Sequence, residues 1–487
     1  MELPESLKQP VRYGLFTPSR IFLMAILGWL FALAWPILPA NNLILGMAIG
    51  GLSLAYRLRR HTLRGTSILL LSVFIAASWY HNWYLAQINP MIKYHKEQTI
   101  SLTIIEEPQK YDRYQRYLAR TQEGWRSYLL LPREGVIEPG TMLTVTGQYE
   151  PVGIDDHLYR LSLAKSHIFA VIPFPKIIAK QPALLTWFEN MIIHSRQQFD
   201  RTVHRLLLDP QAGLLAGIIA GVKTDLPKSI LDNFKIAGLS HLIAVSGFNV
   251  GIVIALFASL TKGSGRYFHL FTSVALVMFF VIFTGASASV IRAGTLALLF
   301  VFARFIGRRA SLFRLLVSTS LLMTLHNPLI VRYDIGFQLS FAAVLGLIFL
   351  AEPLEHRLVA RRFPKGLAQV LSATSAATLT TWPIIAHNFG TISVYALPAN
   401  LIAEPLVPIL TIAGLLLVAL GSLLPALASW LILPIDLGLR YLISLTTTIS
   451  HLPYANLTMG AVPSFLWLIY YTGLGVVFWL LTQPRKL

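Results

Sequence analysis

The residues best equipped for chemistry sit in the otherwise apolar stretch "HLIAVSGFNVG", His241–Gly251. The Ser246 hydroxyl and the His241 imidazole are the parts of a nucleophile and its general base. Their spacing works against that chemistry. On an ideal helix of about 100° per residue, His241, Asn249 and Ser246 fall near 0°, 80° and 140°. Hydroxyl and ring then diverge unless the helix breaks at Ser246–Gly247. The three share one polar arc with Asn249 in its middle. Gly247 and Gly251 lie together on the other side, where a neighbouring helix can approach closely. One polar face and one small-residue face suit the wall of a wet cavity. Helix-to-helix hydrogen bonding in a dry bundle is the competing reading, because polar residues inside a membrane also pair with one another.

Further polar groups interrupt apolar runs downstream. Arg292 follows "SASV", and an arginine at membrane depth costs about 2.5–3.5 kcal/mol on insertion scales. It must pair, snorkel or face water. Asp334 opens the stretch "GFQLSF", where it can pair with Arg292 or cap its own helix. Gln338 and Ser340 sit one turn deeper. The run "LAQVLSATSAATLTTWP" at 367–383 is the least lipid-like, with Ser375, Thr378 and Trp382 among its candidate lining residues. Pro383 and Pro398 are expected to break the backbone near Asn400. Broken helices at this depth are tolerated where they line a cavity or are buried in protein. This is the second wall expected of a pore.

A different chemistry is written in "KYDRYQRYLARTQEGWRSY", residues 110–128. Tyr114, Tyr117 and Trp125 interleave with Arg113, Arg116 and Arg126. Aromatic rings stack bases at about 1–3 kcal/mol each while arginines take phosphates. The alternative is a hairpin whose tyrosines pack one face of a sheet, since strands are rich in tyrosine.

The elements that must position these residues follow from periodicity. Three apolar spans are expected near 21–40, 42–56 and 66–86. The four arginines of "RLRRHTLR" between the second and third put that loop in the cytoplasm and deliver residue 88 to the outer face. Residues 88–180 alternate like short strands divided by turn signals, which predicts a small five-stranded OB-like barrel. Residues 183–208 carry apolar positions at three- and four-residue steps, an amphipathic helix that lies in the interface or packs on the barrel. Two short helices follow, within a segment 181–238. From 239 to 487 the chain returns to the membrane. The stretch 427–452 is ambiguous because Asp436 and Arg440 interrupt it. The fold class expected is a polytopic α-helical membrane protein of about 10–12 spans, with an all-β domain inserted after the third.

Composition agrees. The chain is 55% hydrophobic and 13% charged, against about 25% charged in an average soluble domain. The formal charge of +18 does not by itself argue for nucleic acid. Residues 88–209 are nearly neutral, with 15 Lys/Arg against 13 Asp/Glu. The excess sits after residue 238, at 15 against 5, in short loops such as "RFIGRRASLFR", the pattern of the positive-inside rule. The chain has no cysteine, which excludes disulfides and thiolate chemistry. No metal or other cofactor is expected.

Five segments in order resemble the ComEC family of competence proteins. They are "FKIAGLSHLIAVSGFNVGIV", "GASASVIRAGTLALL", "NPLIVRYDIGFQLSFAAVLGL", "TTWPIIAHNFGTISVYALPANLIAEPLVP", and the β domain ahead of them. The resemblance implies a channel that passes single-stranded transforming DNA across the cytoplasmic membrane. It implies DNA and the lipid bilayer as partners, with a DNA receptor or nuclease outside and a motor or strand-capturing protein inside. Many family members continue into a metallo-β-lactamase-like domain with an H-x-H-x-D-H motif. That motif does not occur in this sequence, so no enzyme activity is expected of it. No G-x-x-x-x-G-K-[ST] nucleotide loop occurs either. A small-molecule or lipid transporter with an accessory β domain is the alternative, and an intramembrane hydrolase a more distant one.

Overall fold

The computed structural model describes Trp29, Leu30 and Leu33, residues 62–88 and most of 92–482. Ser246 and Asn249 lie outside the described residues, as do most of 1–61 and of 244–264. The chain forms two units, Met1–Pro90 with Ser320–Tyr333, and Met91–Thr319 with Asp334–Leu487.

The first unit is organised by helix α1 (Thr62–Ile88). Leu33 and Ala77 are fully buried, with Trp29, Phe74 and Val331 packed around them. Trp29 donates its indole N–H to the Thr324 hydroxyl at 3.2 Å, and Tyr80 donates to the Leu325 carbonyl. These bonds satisfy the polar ends of large rings inside an apolar cluster.

The second unit begins with the β domain. Its strands are β1 (Glu97–Ile104), β2 (Gln109–Lys110), β3 (Tyr114–Thr121), β4 (Arg126–Pro132), β5 (Thr141–Gln148), β6 (Glu150–Pro151), β7 (Ile168–Pro173) and β8 (Lys176–Pro182). Helix α2 (His157–Ala164) precedes β7. The sheet order is β6-β7-β4-β3-β1-β5-β8, all antiparallel except β4 against β7. Because β6 continues β5 across Tyr149 and pairs with β7, the sheet curls back on itself around one core. Alternate residues of β1, β3, β4 and β7 are buried, so each strand gives one face to that core.

Helices follow. α3 (Trp187–Leu206) buries Ile192, Phe199 and Val203. α4 (Gln211–Ala220) is apolar nearly all round and every residue in it is buried, as such a helix must be. α5 (Lys228–Ile236) and α6 (Ser240–Ile243) lead into α7 (Arg266–Phe283), α8 (Ala288–Phe305), α9 (Leu312–His326) and α10 (Ile330–Tyr333). α11 (Ile335–Gly346) passes through a π turn, Leu347–Ala351, into α12 (Glu352–Ala360). α13 (Lys365–Phe389), β9 (Thr391–Ser393), α14 (Ala396–Ala403), α15 (Leu406–Leu423), α16 (Pro425–Ser450), β10 (Asn456–Thr458) and α17 (Ser464–Thr482) complete it. Strand β9 pairs with β10. Among the described residues four helical stretches are long and apolar enough to cross a membrane: Arg266–Phe283, Ile335–Ala360, Leu406–Leu423 and Pro425–Ser450. This is a polytopic helical membrane protein with a β domain.

Three details answer open points of the sequence. Helix α3 packs on the membrane helices and not on the barrel, since Phe199 and Val203 belong to the core formed by α4, α15 and α16. The ambiguous stretch at 427–452 is covered as far as Ser450 by one continuous helix, α16. Arg440 donates to Asp436 at 2.6 Å, one turn away, so the two charges neutralise each other on α16. Pro383 does not break its helix, contrary to expectation, and α13 runs through it. Proline removes the N–H that would bond the Leu379 carbonyl. Tyr470 of α17 donates to that carbonyl at 2.9 Å, and Tyr471 donates to the Thr380 carbonyl at 3.0 Å. Tyr470→Phe should therefore cost about 0.5–1.5 kcal/mol, the net worth of one hydrogen bond to a part-buried carbonyl. Thermal unfolding of the detergent-solubilised variant measures this, and Tyr441→Phe, whose ring is exposed, should leave the transition in place.

Candidate functional site

Strand parity divides the aromatic–arginine segment of the β domain into two sets. On β3, Gln115, Tyr117 and Ala119 point inward, and Tyr114, Arg116 and Arg120 point outward. Tyr117 is 1% exposed and Trp125 8% exposed, and both belong to the barrel core. Tyr117 donates to Gln115 Oε1 at 2.7 Å and accepts from the Ile137 N–H at 3.1 Å. Trp125 donates to Glu123 at 2.9 Å and packs against Tyr149 at 5.1 Å between centroids. Both rings are packing residues and are corrected as such, since core rings cannot stack a base. Arg126 is half-buried, and burial, aided by Arg120, holds its guanidinium below the ordinary arginine range. Burial likewise pushes the Tyr117 hydroxyl up, and that of Tyr149 to about 12, with Glu123 adding to the latter.

The outward set forms a platform. Tyr111 and Tyr114 stack at 4.8 Å between centroids. Phe174 meets Tyr114 edge-on at 6.4 Å and is 58% exposed. The Arg116 guanidinium lies 5.2 Å from the Tyr111 centroid and 4.5 Å from that of Tyr128, and donates to Gln109. Arg113 is exposed at the turn between Tyr111 and Tyr114. The sequence reading did not include Phe174, which the β7–β8 turn holds at φ 44°.

In the helical part, His241 is exposed on α6 while Leu242 and Ile243 beside it are buried. A Cβ at Gly247 would meet the Ala293 Cβ of α8 at 3.3 Å, so this position faces a helix. Among the described residues a Cβ at Gly251 would meet nothing within 4 Å, so the packed face expected to hold both glycines is seen at Gly247 alone. Gly238, at φ 75°, is pressed against Ala396 and Ser393, and Ser393 donates to the Lys235 carbonyl at 3.2 Å. The segments "FKIAGLSHL" and "TISVYALPAN" thus pack closely at Gly238.

Arg292 is buried on α8 and donates to the Gly336 carbonyl at 2.8 Å and to the Ser289 hydroxyl at 3.0 Å. Asp334 caps α11, accepting the Phe337 N–H at 3.0 Å. Its other oxygen lies 3.5 Å from Lys165 of the β domain. Asp334 therefore joins the helical part to the β domain, and Arg292 of α8 bonds the same helix start through the Gly336 carbonyl. Asp334→Asn keeps the cap and removes the charge pair, so it should lose less than about 1 kcal/mol, while Asp334→Ala should lose about 1–2 kcal/mol. Chemical unfolding of the two variants side by side checks this. Gln338 and Ser340 are half-buried on α11.

Helix α13 presents distinct faces. Ala376 and Thr380 pack on Gly346, whose added Cβ would stand 2.5 Å from the Ala376 carbonyl oxygen. Thr374 donates to Glu404 Oε2 at 3.0 Å. Ser375, Thr378 and Trp382 recur at helical spacing on a more open face, Trp382 being exposed. Several hydroxyls on this helix, among them Ser372, Thr380 and Thr381, bond carbonyls of the preceding turn. That satisfies polar groups in a bundle without any outside partner. Asn400 is buried on α14, and among the described residues its Oδ1 has no hydrogen-bond partner. Glu404, between α14 and α15, was missed from sequence although it is one of five acids after residue 238. Among the described residues no cluster of His, Cys, Asp and Glu could hold a metal ion.

The profile of the family described as Competence protein matches residues 218–484, more than half of the chain. The ComE operon protein 3 of Bacillus subtilis (strain 168) is 24% identical over 244 residues, which is 48% of this chain and 30% of that protein. The match thus spans less than a third of that curated relative. No solved structure matches the chain. The matched region takes in Gly238, the His241–Gly251 stretch, Arg292, Asp334 and α13, and on that extent of match the chain belongs to the ComEC-type competence protein family.

Proposed function

We propose that this protein takes part in DNA uptake and that it conducts single-stranded DNA through the cytoplasmic membrane. The observation that carries the reading is the family match over 218–484, which contains both expected polar walls. Residues 1–87 form the leading membrane segment, 88–180 the outer β domain, 181–238 the interfacial helices and 239–487 the conducting part. The β domain stands on the outer face and the "RLRRHTLR" loop in the cytoplasm. Strand entry is from a receptor or nuclease outside, and force comes from a cytoplasmic motor or capture of the strand. The protein itself conducts and does not cleave. A reporter fused after Arg64 should be active only inside and one near Gly140 only outside, and the reverse would sink this orientation.

The β-domain platform receives the strand in this scheme. Tyr111 and Phe174 offer exposed rings, and Arg113 and Arg116 offer charge. Tyr111→Ser with Arg113→Ser should weaken binding of a single-stranded oligonucleotide to the full chain by about tenfold and flatten its salt dependence. Tyr117→Phe should leave that binding unchanged while lowering stability by about 1–2 kcal/mol, because its buried hydroxyl bonds lie in the core. Equal binding losses in the two variants would mean that the domain is merely being unfolded.

A further inference from the structure

We infer that the groove between α3 and the end of α15 binds the phosphate headgroup of an anionic phospholipid. The groove is about 410 Å³ and is lined by His194, Gln197, Gln198, Arg201, Thr202 and Arg205, with Ser422 opposite. The α3 residues recur at three- and four-residue steps, so they form one continuous stripe along the helix. The opposite face of the same helix carries Phe199 and Val203 into the core. Packing therefore holds the stripe outward.

The chemistry is that of an anion site. Arg205 donates to the Gly421 carbonyl at 2.7 Å and is fixed against the last turn of α15. Arg201 is exposed one turn away. Thr202 is buried and donates to the Gln198 carbonyl at 2.8 Å. No carboxylate lines the groove among the described residues. Asp200 and Asp209, on and just beyond the same helix, lie 3.4 and 3.5 Å from the two nitrogens of His204. Two guanidiniums with neutral amides and hydroxyls suit a phosphodiester, which accepts hydrogen bonds and carries one charge.

Position selects the lipid. Gly421 and Ser422 close an apolar helix of membrane-crossing length. Directly beyond them Leu423, Leu424, Leu427 and Trp430 are exposed, Leu423 at 78% and Trp430 at 81%. A cationic groove adjoining exposed leucines and a tryptophan matches the boundary between hydrocarbon and headgroups. A headgroup in the groove would leave its acyl chains along those leucines. A DNA strand would find polar surface on one side only.

The chain has no cysteine, so Leu208→Cys, exposed three residues beyond Arg205 and outside the groove lining, gives a unique attachment point for an environment-sensitive fluorophore. Labelled full-length protein in neutral detergent is titrated with phosphatidylglycerol, phosphatidylcholine, inorganic phosphate and a single-stranded oligonucleotide. Phosphatidylglycerol should give a saturable signal that Arg201→Gln weakens about fivefold. Arg308→Gln, an exposed arginine elsewhere, should leave it unchanged. Arg205→Gln also removes the bond to Gly421, so Arg201→Gln is the deciding variant. An equal response to phosphatidylcholine, a response to inorganic phosphate or to the oligonucleotide of the same strength, or an Arg201→Gln titration that overlays the parent would each overturn the assignment.

Discussion

Gly238→Ala should remove most of the folded protein from the membrane. Two independent costs meet at this residue. Its φ of 75° lies in the left-handed region, which an L side chain occupies at a cost of about 1–2 kcal/mol. An added Cβ would also stand 2.6 Å from the Ala396 Cβ and 3.2 Å from the Ala396 Cα, far inside contact distance. Overpacking of a fixed backbone contact costs about 1–3 kcal/mol more. The sum, about 2–5 kcal/mol, is comparable with the whole stability of a marginal domain. Two other glycines separate the terms. Gly307 has φ 71° with nothing within 4 Å, so Gly307→Ala should show the strain cost alone. Gly265 has open space and no positive φ, so Gly265→Ala should be neutral. Size-exclusion profiles and thermal unfolding in detergent rank the three. If Gly238→Ala and Gly307→Ala unfold alike, the contact with Ala396 contributes nothing.

The β domain was legible because its code is local. Alternation in "QTISLTII" and "RSYLLLP" fixes which residues face inward, and β1 and β4 bury alternate residues accordingly. The same rule should have separated Tyr117 from Arg116 on β3. Counting aromatics and arginines over the whole segment ignored parity and brought core rings into the binding set. Phe174 was invisible for a different reason. It meets Tyr114 only through the closure of β7 against β4, a nonlocal event.

The membrane part shows the same division. Apolar runs and charge placement give the helices from composition alone. The continuity of α13 through Pro383 does not follow from its own residues. It depends on hydroxyls from α17, 91 residues later in the chain. Asp334 was readable as a cap because capping is local, whereas its approach to Lys165 crosses from one fold element to another. Glu404 was readable in principle, since an acid in an apolar run must find a donor, and Thr374 supplies it.

Asn249→Leu should abolish DNA uptake while the protein still accumulates in the membrane. On a helix of about 100° per residue, Asn249 lies roughly 160° from both Gly247 and Gly251. Gly247 faces Ala293 of α8, with an added Cβ at 3.3 Å. Helical periodicity in the sequence therefore puts Asn249 on the arc opposite Gly247, the side where the strand is proposed to pass. In the proposed scheme a polyanion moves along this wall without being held, and an amide can exchange for water at a net balance of only about 0.5–1.5 kcal/mol per hydrogen bond. A lysine there would bind phosphates and an aspartate would repel them. Leucine keeps the volume and removes the polar surface, so transport should fail without loss of folding. Gly247→Leu should instead drive a branched side chain into α8 and cost about 1–3 kcal/mol of stability or more. Gly251→Leu meets nothing within 4 Å among the described residues and should fold normally. Transformation frequency and membrane abundance, measured together, distinguish the three. Normal transformation by Asn249→Leu would move the path elsewhere, and full abundance of Gly247→Leu would mean that α8 does not pack on this face.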